Sequence, residues 1–118
     1  MSNDLQRLQT NIRMSQVVFA DRVVYLAGQV PDSTYASITQ QATEILLSID
    51  TLLAIAGIDK KSLLSANIRL SDARYFDEFN CVWDAWLPEG HAPTQACVQS
   101  LLMKAGLDVE IAVTALAS

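Results

Sequence analysis

From Ile38 to Leu53 the chain carries one apolar stripe at three-and-four spacing: Ile38, Ala42, Ile45, Ile49, Leu52 and Leu53. Such spacing buries one face of a long helix. Pro31-Asp32-Ser33 offers a break and a cap before it, and Gly57 stands where a C′ glycine belongs, so the helix is expected to run to about Ala56. The helix demands a broad apolar surface to lie on, and the flanking sequence offers strands.

Val17-Val18-Phe19 and Val23 to Val30 read as two strands joined by a tight turn at Ala20-Asp21-Arg22. Leu64, Ala66, Ile68 and Leu70 alternate with Ser65, Asn67, Arg69 and Ser71, the period-two mark of a strand. Asp72 can cap a second helix, with Phe76, Phe79, Val82, Trp83 and Trp86 on its apolar face. The two tryptophans are expected to pack in the core or an interface. A loop from Pro88 to Pro93 precedes two more strands, about Gln95–Leu102 and Leu107–Leu116, joined by a turn around Lys104-Ala105-Gly106.

The expected class is α+β, in the order β-β-α-β-α-β-β, with two helices on one face of a mixed five- or six-stranded sheet. The 118 residues suit a single domain spanning 1–118. Hydrophobic residues make up 51% of them, and several strands are apolar on both faces. The face that two helices leave bare is expected to meet another copy of the chain.

Composition narrows the chemistry. The polar start, MSNDLQRLQT, has no apolar run of the kind a signal peptide needs, and no stretch is long enough to span a bilayer, so a cytoplasmic protein without a membrane partner is expected. Cys81 and Cys97 are expected to be free thiols. The net charge is −5 and the eight basic residues are scattered, which argues against nucleic acid as a partner. One histidine and two separated cysteines make no usual zinc site, and no glycine-rich phosphate loop or nucleophile elbow is present. No metal or cofactor is therefore expected. His91, the only imidazole, lies in the proline-flanked loop, where a solvated role is weighed above that of a general base.

Leu26-Ala-Gly-Gln-Val-Pro31, Asn80 with the aromatics after it, Ala92-Pro-Thr-Gln-Ala-Cys-Val98 and Val109-Glu-Ile-Ala-Val113 occur in one order and spacing. Together they resemble the RidA/YjgF family, over about Met14 to Ala115. The resemblance implies a chorismate-mutase-like fold, a homotrimer whose sheets line a central barrel, and clefts between subunits that bind small molecules. It also implies hydrolysis of 2-imino or enamine acids to 2-keto acids and ammonia.

The same resemblance assigns roles. Glu110 matches the glutamate that positions the attacking water. Cys97 and Asn80 match cleft residues, and Gly28 matches a strand glycine whose backbone approaches the ligand. The family's Pro-Ala-Arg, whose arginine grips the substrate carboxylate, is Pro93-Thr94-Gln95 here. Met14 stands where many members carry tyrosine, and Arg13 beside it is a candidate to supply the missing charge.

Exchanging a bidentate arginine for one amide donor costs about 2–4 kcal/mol of carboxylate recognition, or about 30- to 1000-fold. Imino-acid deamination is accordingly expected to be weak or altered, and a neutral ligand group would suit Gln95 better. The residues alone leave other readings open. Glu110 can be a solvated edge carboxylate, Cys97 a small buried hydrophobe, Asn80 an exposed helix residue and Gly28 the mark of a bulge. The rival to an enzyme is a non-enzymatic binding or interaction protein with a vestigial cleft. A ribonuclease, which the family's old label suggests, fits poorly with the acidic charge.

Overall fold

The computed structural model describes residues 5–117. Eight main elements follow one another: β1 (Gln6–Thr10), β2 (Ser15–Ala20), β3 (Val23–Leu26), α1 (Ile38–Ile55), β4 (Leu63–Leu70), α2 (Phe76–Trp86), β5 (Thr94–Gln99) and β6 (Val109–Leu116). The strands form one six-stranded sheet in the order β1-β2-β3-β6-β4-β5, antiparallel throughout except for the parallel β4–β5 pair. Both helices lie on one face, so the mixed sheet and its two-helix layer match the expected class.

All six stripe residues of α1 are buried, with Ile45, Ile49 and Leu53 at 0% exposure. They pack on Val17, Val24, Ile68, Val109, Ile111 and Val113 of the sheet. The cap differs from the expected one. Ser37 receives the Gln40 amide, and helix begins at Ile38 rather than near Ser33. Ser33 instead donates its amide N–H and hydroxyl to Glu44, tying the entry segment to the helix flank. Gly57 follows the C-cap with φ +80°, the left-handed conformation that glycine adopts without penalty.

Asp72 caps a single 3-10 turn, Ala73–Tyr75, which leads into α2. Phe79 and Trp83 fill the core, while Phe76, expected on the buried face, is 45% exposed at the first turn. Trp86 stacks near Trp83, donates its indole N–H to Asp50 of α1, and lies 5.0 Å beneath Lys60 Nζ. Thr39 donates to Glu78, joining the starts of the two helices.

Four features of the strands correct the expectation. An additional strand, β1, pairs with β2 through Thr10↔Ser15. Its sequence, QRLQT, shows no apolar alternation because both of its faces are largely solvated at the sheet edge. Strand β3 stops at Leu26; beyond it Gln29 makes an isolated bridge with Ile111. In β4 the pairing shifts between Leu63 and Ser65, so Leu63 points inward and Leu64 is 41% exposed. Strand β5 ends at Gln99, leaving Leu101 and Met103 83% and 99% exposed.

The face away from the helices carries Tyr25, Val98 and Leu116, each exposed by two-fifths or more. It also carries Asn67, Arg69 and Glu110, which lie between the inward-pointing Ala66, Ile68, Leu70, Val109 and Ile111. No helix among the described residues is long and apolar enough to cross a membrane.

Candidate functional site

Arg69 on β4 and Glu110 on β6 are directly opposite in the antiparallel ladder, on the face without helices. Arg69 Nη1 donates to Glu110 Oε1 at 3.4 Å, a long single contact, and the two side chains are 45% and 27% exposed. They form the floor of a cavity of about 320 Å³ walled by Val30, Leu101, Leu102, Met103 and Leu107, with Ser100 at its edge. An apolar wall around two converging charged groups is the usual make-up of a small-molecule site, and the volume is at the small end for one.

Gly28 backs Glu110. A β-carbon at residue 28 would stand 2.6 Å from Glu110 Oε2, so only glycine leaves the carboxylate its place. Gly28 is absent from the positive-φ positions, and the requirement is therefore one of space. The break in the ladder after Leu26 and the close approach to Glu110 occur together, in keeping with the bulge reading of Gly28.

The wall segment is held from inside the protein. Gln41 on α1 is fully buried and donates through Nε2 to the carbonyls of Ala36 and Gly106 and to Asp108 Oδ2. Its Oε1 accepts the Asp108 amide N–H. Ser71 donates to the other Asp108 oxygen, so residues 106–108 are clamped to α1 and to the end of β4. The tie fixes the foot of the 101–107 segment beside Arg69.

Gln95 and Cys97 lie elsewhere. In the parallel pairing they stand beside Ala66 and Ile68, whose side chains point to the helix layer. Their own side chains thus face the helix side of the edge strand, and the sheet separates them from Glu110. Along the strand Gln95 is offset from Glu110 by three residues, roughly 10 Å. Cys97 lines a second cavity of about 170 Å³ with Leu70, Ala73, Phe76, Val98 and Gln99, and burial pushes its thiol above the usual range. Asn80 is half-buried on α2 and lines neither cavity.

Arg13 and Met14 sit at the tip of the β1–β2 hairpin, where Asn11 Oδ1 accepts both of their amide N–H groups. Both are exposed. The tip is at the same end of the sheet as Gly28, since Val17 pairs with Leu26 and the Ala27 amide donates to Gln16. His91 is exposed on its loop, its Nδ1 close to the Glu89 carbonyl. Among the described residues no three His, Cys, Asp or Glu side chains gather where they could hold a metal ion.

Within one chain, then, these residues marked by sequence divide into two sets: Gly28 and Glu110 on one face, Gln95 and Cys97 on the other. A single site could contain both only if two copies of the chain supply them. Arg69 was not among the residues marked. Its place in an alternating strand marks it as a solvated polar residue, and its pairing with Glu110 depends on a register that local pattern does not contain.

A six-stranded mixed sheet under two helices, with these candidate sites at its bare face and edge, defines a class of small two-layer α+β proteins. The profile of the family described as Endoribonuclease L-PSP matches residues 5–117, and the chain belongs to this RidA/YjgF family. It is 38% identical to the RutC family protein YoaB of Escherichia coli over 109 residues, 92% of this chain and 95% of that protein. A solved structure of a YjgF-family protein from Neisseria meningitidis superposes with a TM-score of 0.95 at 36% identity, covering 98% of this chain and 97% of the other. A mouse protein named 2-iminobutanoate/2-iminopropanoate deaminase is 28% identical over 103 residues, 82% of this chain and 76% of its own length.

Proposed function

We propose that this chain binds small metabolites in clefts between copies of itself, as a homotrimer, and hydrolyses imines or enamines weakly or with altered preference. The observation that carries the reading is the placement of Glu110: a half-buried carboxylate, given room by Gly28, at the floor of an apolar-walled cavity. A carboxylate kept partly open at the floor of an apolar-walled cavity is placed to meet a ligand, which supports a role for it.

Hydrolysis of an imine needs water added to the C=N carbon and ammonia expelled, leaving a ketone. Glu110 is suited to orient that water or to receive the ligand nitrogen. Gln95 and Cys97 of a neighbouring copy would complete the cleft, the amide reading a polar neutral group and the protonated thiol lining the wall. Exposed Tyr25, Val98 and Leu116 give the bare sheet face the apolar surface that contact between copies requires. The name of the mouse relative supports the reaction class.

One observation favours the rival reading of a binding protein without turnover. Glu110 already contacts the Arg69 guanidinium, so its carboxylate is engaged with a side chain rather than free to hold a water.

The test is imine hydrolysis, with the 2-imino acid formed in situ by an amino-acid oxidase, for wild type, Gln95→Arg and Glu110→Ala against a no-protein control. Low activity in wild type, a gain in Gln95→Arg and none in Glu110→Ala would support the proposal. Activity unaffected by Glu110→Ala would refute the role given to that residue. Light scattering must return the mass of three chains.

A further inference from the structure

Arg69 makes a poor partner for Glu110 if neutralising Glu110 is all it does. Arg–carboxylate pairs of structural kind are often bidentate, with N–O distances of about 2.7–2.9 Å. Here one nitrogen reaches one oxygen at 3.4 Å. A guanidinium has five N–H donors, and among the described residues Arg69 makes no other side-chain hydrogen bond. Its positive charge is thus only loosely engaged, on rigid sheet, at the floor of the 320 Å³ cavity.

We infer that Arg69 is the specificity-determining residue of this cavity and receives the carboxylate of a small 2-amino acid with an apolar side chain, whose nitrogen sits on the next carbon. The inference deepens the small-metabolite reading and rests on it.

The chemistry is an exchange of partners. A bound carboxylate takes the guanidinium in the forked geometry that Glu110 does not use. Glu110, released from its contact, takes the ligand nitrogen. Opposite charges side by side complement a molecule whose own opposite charges are separated by two bonds. A molecule bearing only a carboxylate would leave Glu110 without a partner, and one bearing only an amine would leave Arg69 so. Val30, Leu101, Leu102, Met103 and Leu107 then receive an apolar side chain. Methionine and leucine walls tolerate several aliphatic shapes, so selection acts on the charged end.

The sheet makes the arrangement precise where a loop would not. Arg69 and Glu110 are paired residues of adjacent strands, and their neighbours Ile68, Leu70, Val109 and Ile111 are all buried. Their backbones cannot shift apart without disturbing the core. Only the side-chain ends move, which is what an exchange of partners requires.

Isothermal titration calorimetry on the intact protein tests this with three probes: L-leucine, isocaproate, which lacks the nitrogen, and L-leucinamide, which lacks the carboxylate. Wild type should bind leucine more tightly than either truncated probe. Arg69→Gln should weaken leucine and isocaproate by about 10- to 100-fold and leave leucinamide unchanged or tighter. Arg69→Lys should recover part of the loss, and circular dichroism should show both variants folded. If Arg69→Gln binds isocaproate as wild type does, the role of Arg69 is overturned while the small-metabolite reading stands. If wild type binds none of the three at any soluble concentration, both are overturned.

Discussion

The Glu110 carboxylate occupies the space that a side chain at residue 28 would need: a β-carbon there would lie 2.6 Å from Oε2 and 3.2 Å from Cδ. The atoms in conflict are the far end of a flexible side chain, so Gly28→Ala should displace the carboxylate rather than break the fold. The expected change in unfolding free energy is within about 1 kcal/mol. Ligand affinity and any turnover should fall as far as they do in Glu110→Ala, and the double variant should be no worse than either single one. Thermal melts beside calorimetry check both halves. A Gly28→Ala protein that melts far lower yet binds normally would show that the glycine serves the backbone and not the carboxylate.

Gln41 is the one buried polar side chain among the described residues, and it satisfies four groups at once. Gln41→Leu keeps roughly the same volume but orphans the Asp108 amide and part of its carboxylate. Leaving such groups unpaired should cost about 2–4 kcal/mol, read as a lower urea midpoint with an unchanged slope. The clamp also holds the foot of the cavity wall, so ligand affinity should fall in the same variant at temperatures where it is still folded.

The α1 stripe was fully legible in the sequence because a buried helix repeats its signal over several turns, and all six of its positions are buried. The alternation of β4 was legible from Ala66 onward but misassigned Leu64, since a bulge shifts one residue without altering local composition. β1 left no trace, being a polar edge strand that draws its stability from pairing with β2. Gly28 and Glu110 each stood out within their strands, yet nothing local says that they touch. Arg69 was invisible for the same reason: what makes it notable is a cross-strand neighbour 41 residues away. Motif resemblance supplied the family, and the register supplied the candidate site.

Glu44 gives a prediction in pH. Hydrogen bonds from the Gln40 side chain, and then from the Ser33 amide and hydroxyl, hold its carboxyl below the ordinary value of 4.5. Folded Glu44 therefore keeps its charge to lower pH than the unfolded chain does. Its stabilising contribution is full above about pH 4.5 and fades as the pH falls further. Wild type should melt above Glu44→Gln at neutral pH, with the two curves converging in acid. Parallel curves from neutral to acid pH would mean that the tether from Ser33 does not depend on the charge.

Cys81 is exposed, whereas Cys97 is partly covered and its thiol is pushed up by burial. Alkylation needs both access and thiolate, so at mildly alkaline pH iodoacetamide should modify Cys81 about tenfold faster or more. Peptide mass spectrometry over time separates the two sites. The same experiment tests the proposed cleft between copies. Cys97 and Glu110 lie on opposite faces of one sheet, so a ligand held at Glu110 cannot shield Cys97 of its own chain directly. It can shield the Cys97 of a neighbour whose edge strand closes the cleft. Saturating leucine should therefore slow Cys97 alkylation several-fold and leave Cys81 unchanged. Tyr25→Glu places a charge on the bare sheet face, where Tyr25 is 47% exposed, and should reduce the light-scattering mass toward one chain. In that variant the protection of Cys97 should vanish. If leucine binds and protection persists in a demonstrated monomer, the two faces communicate within one chain and no cleft between copies is needed.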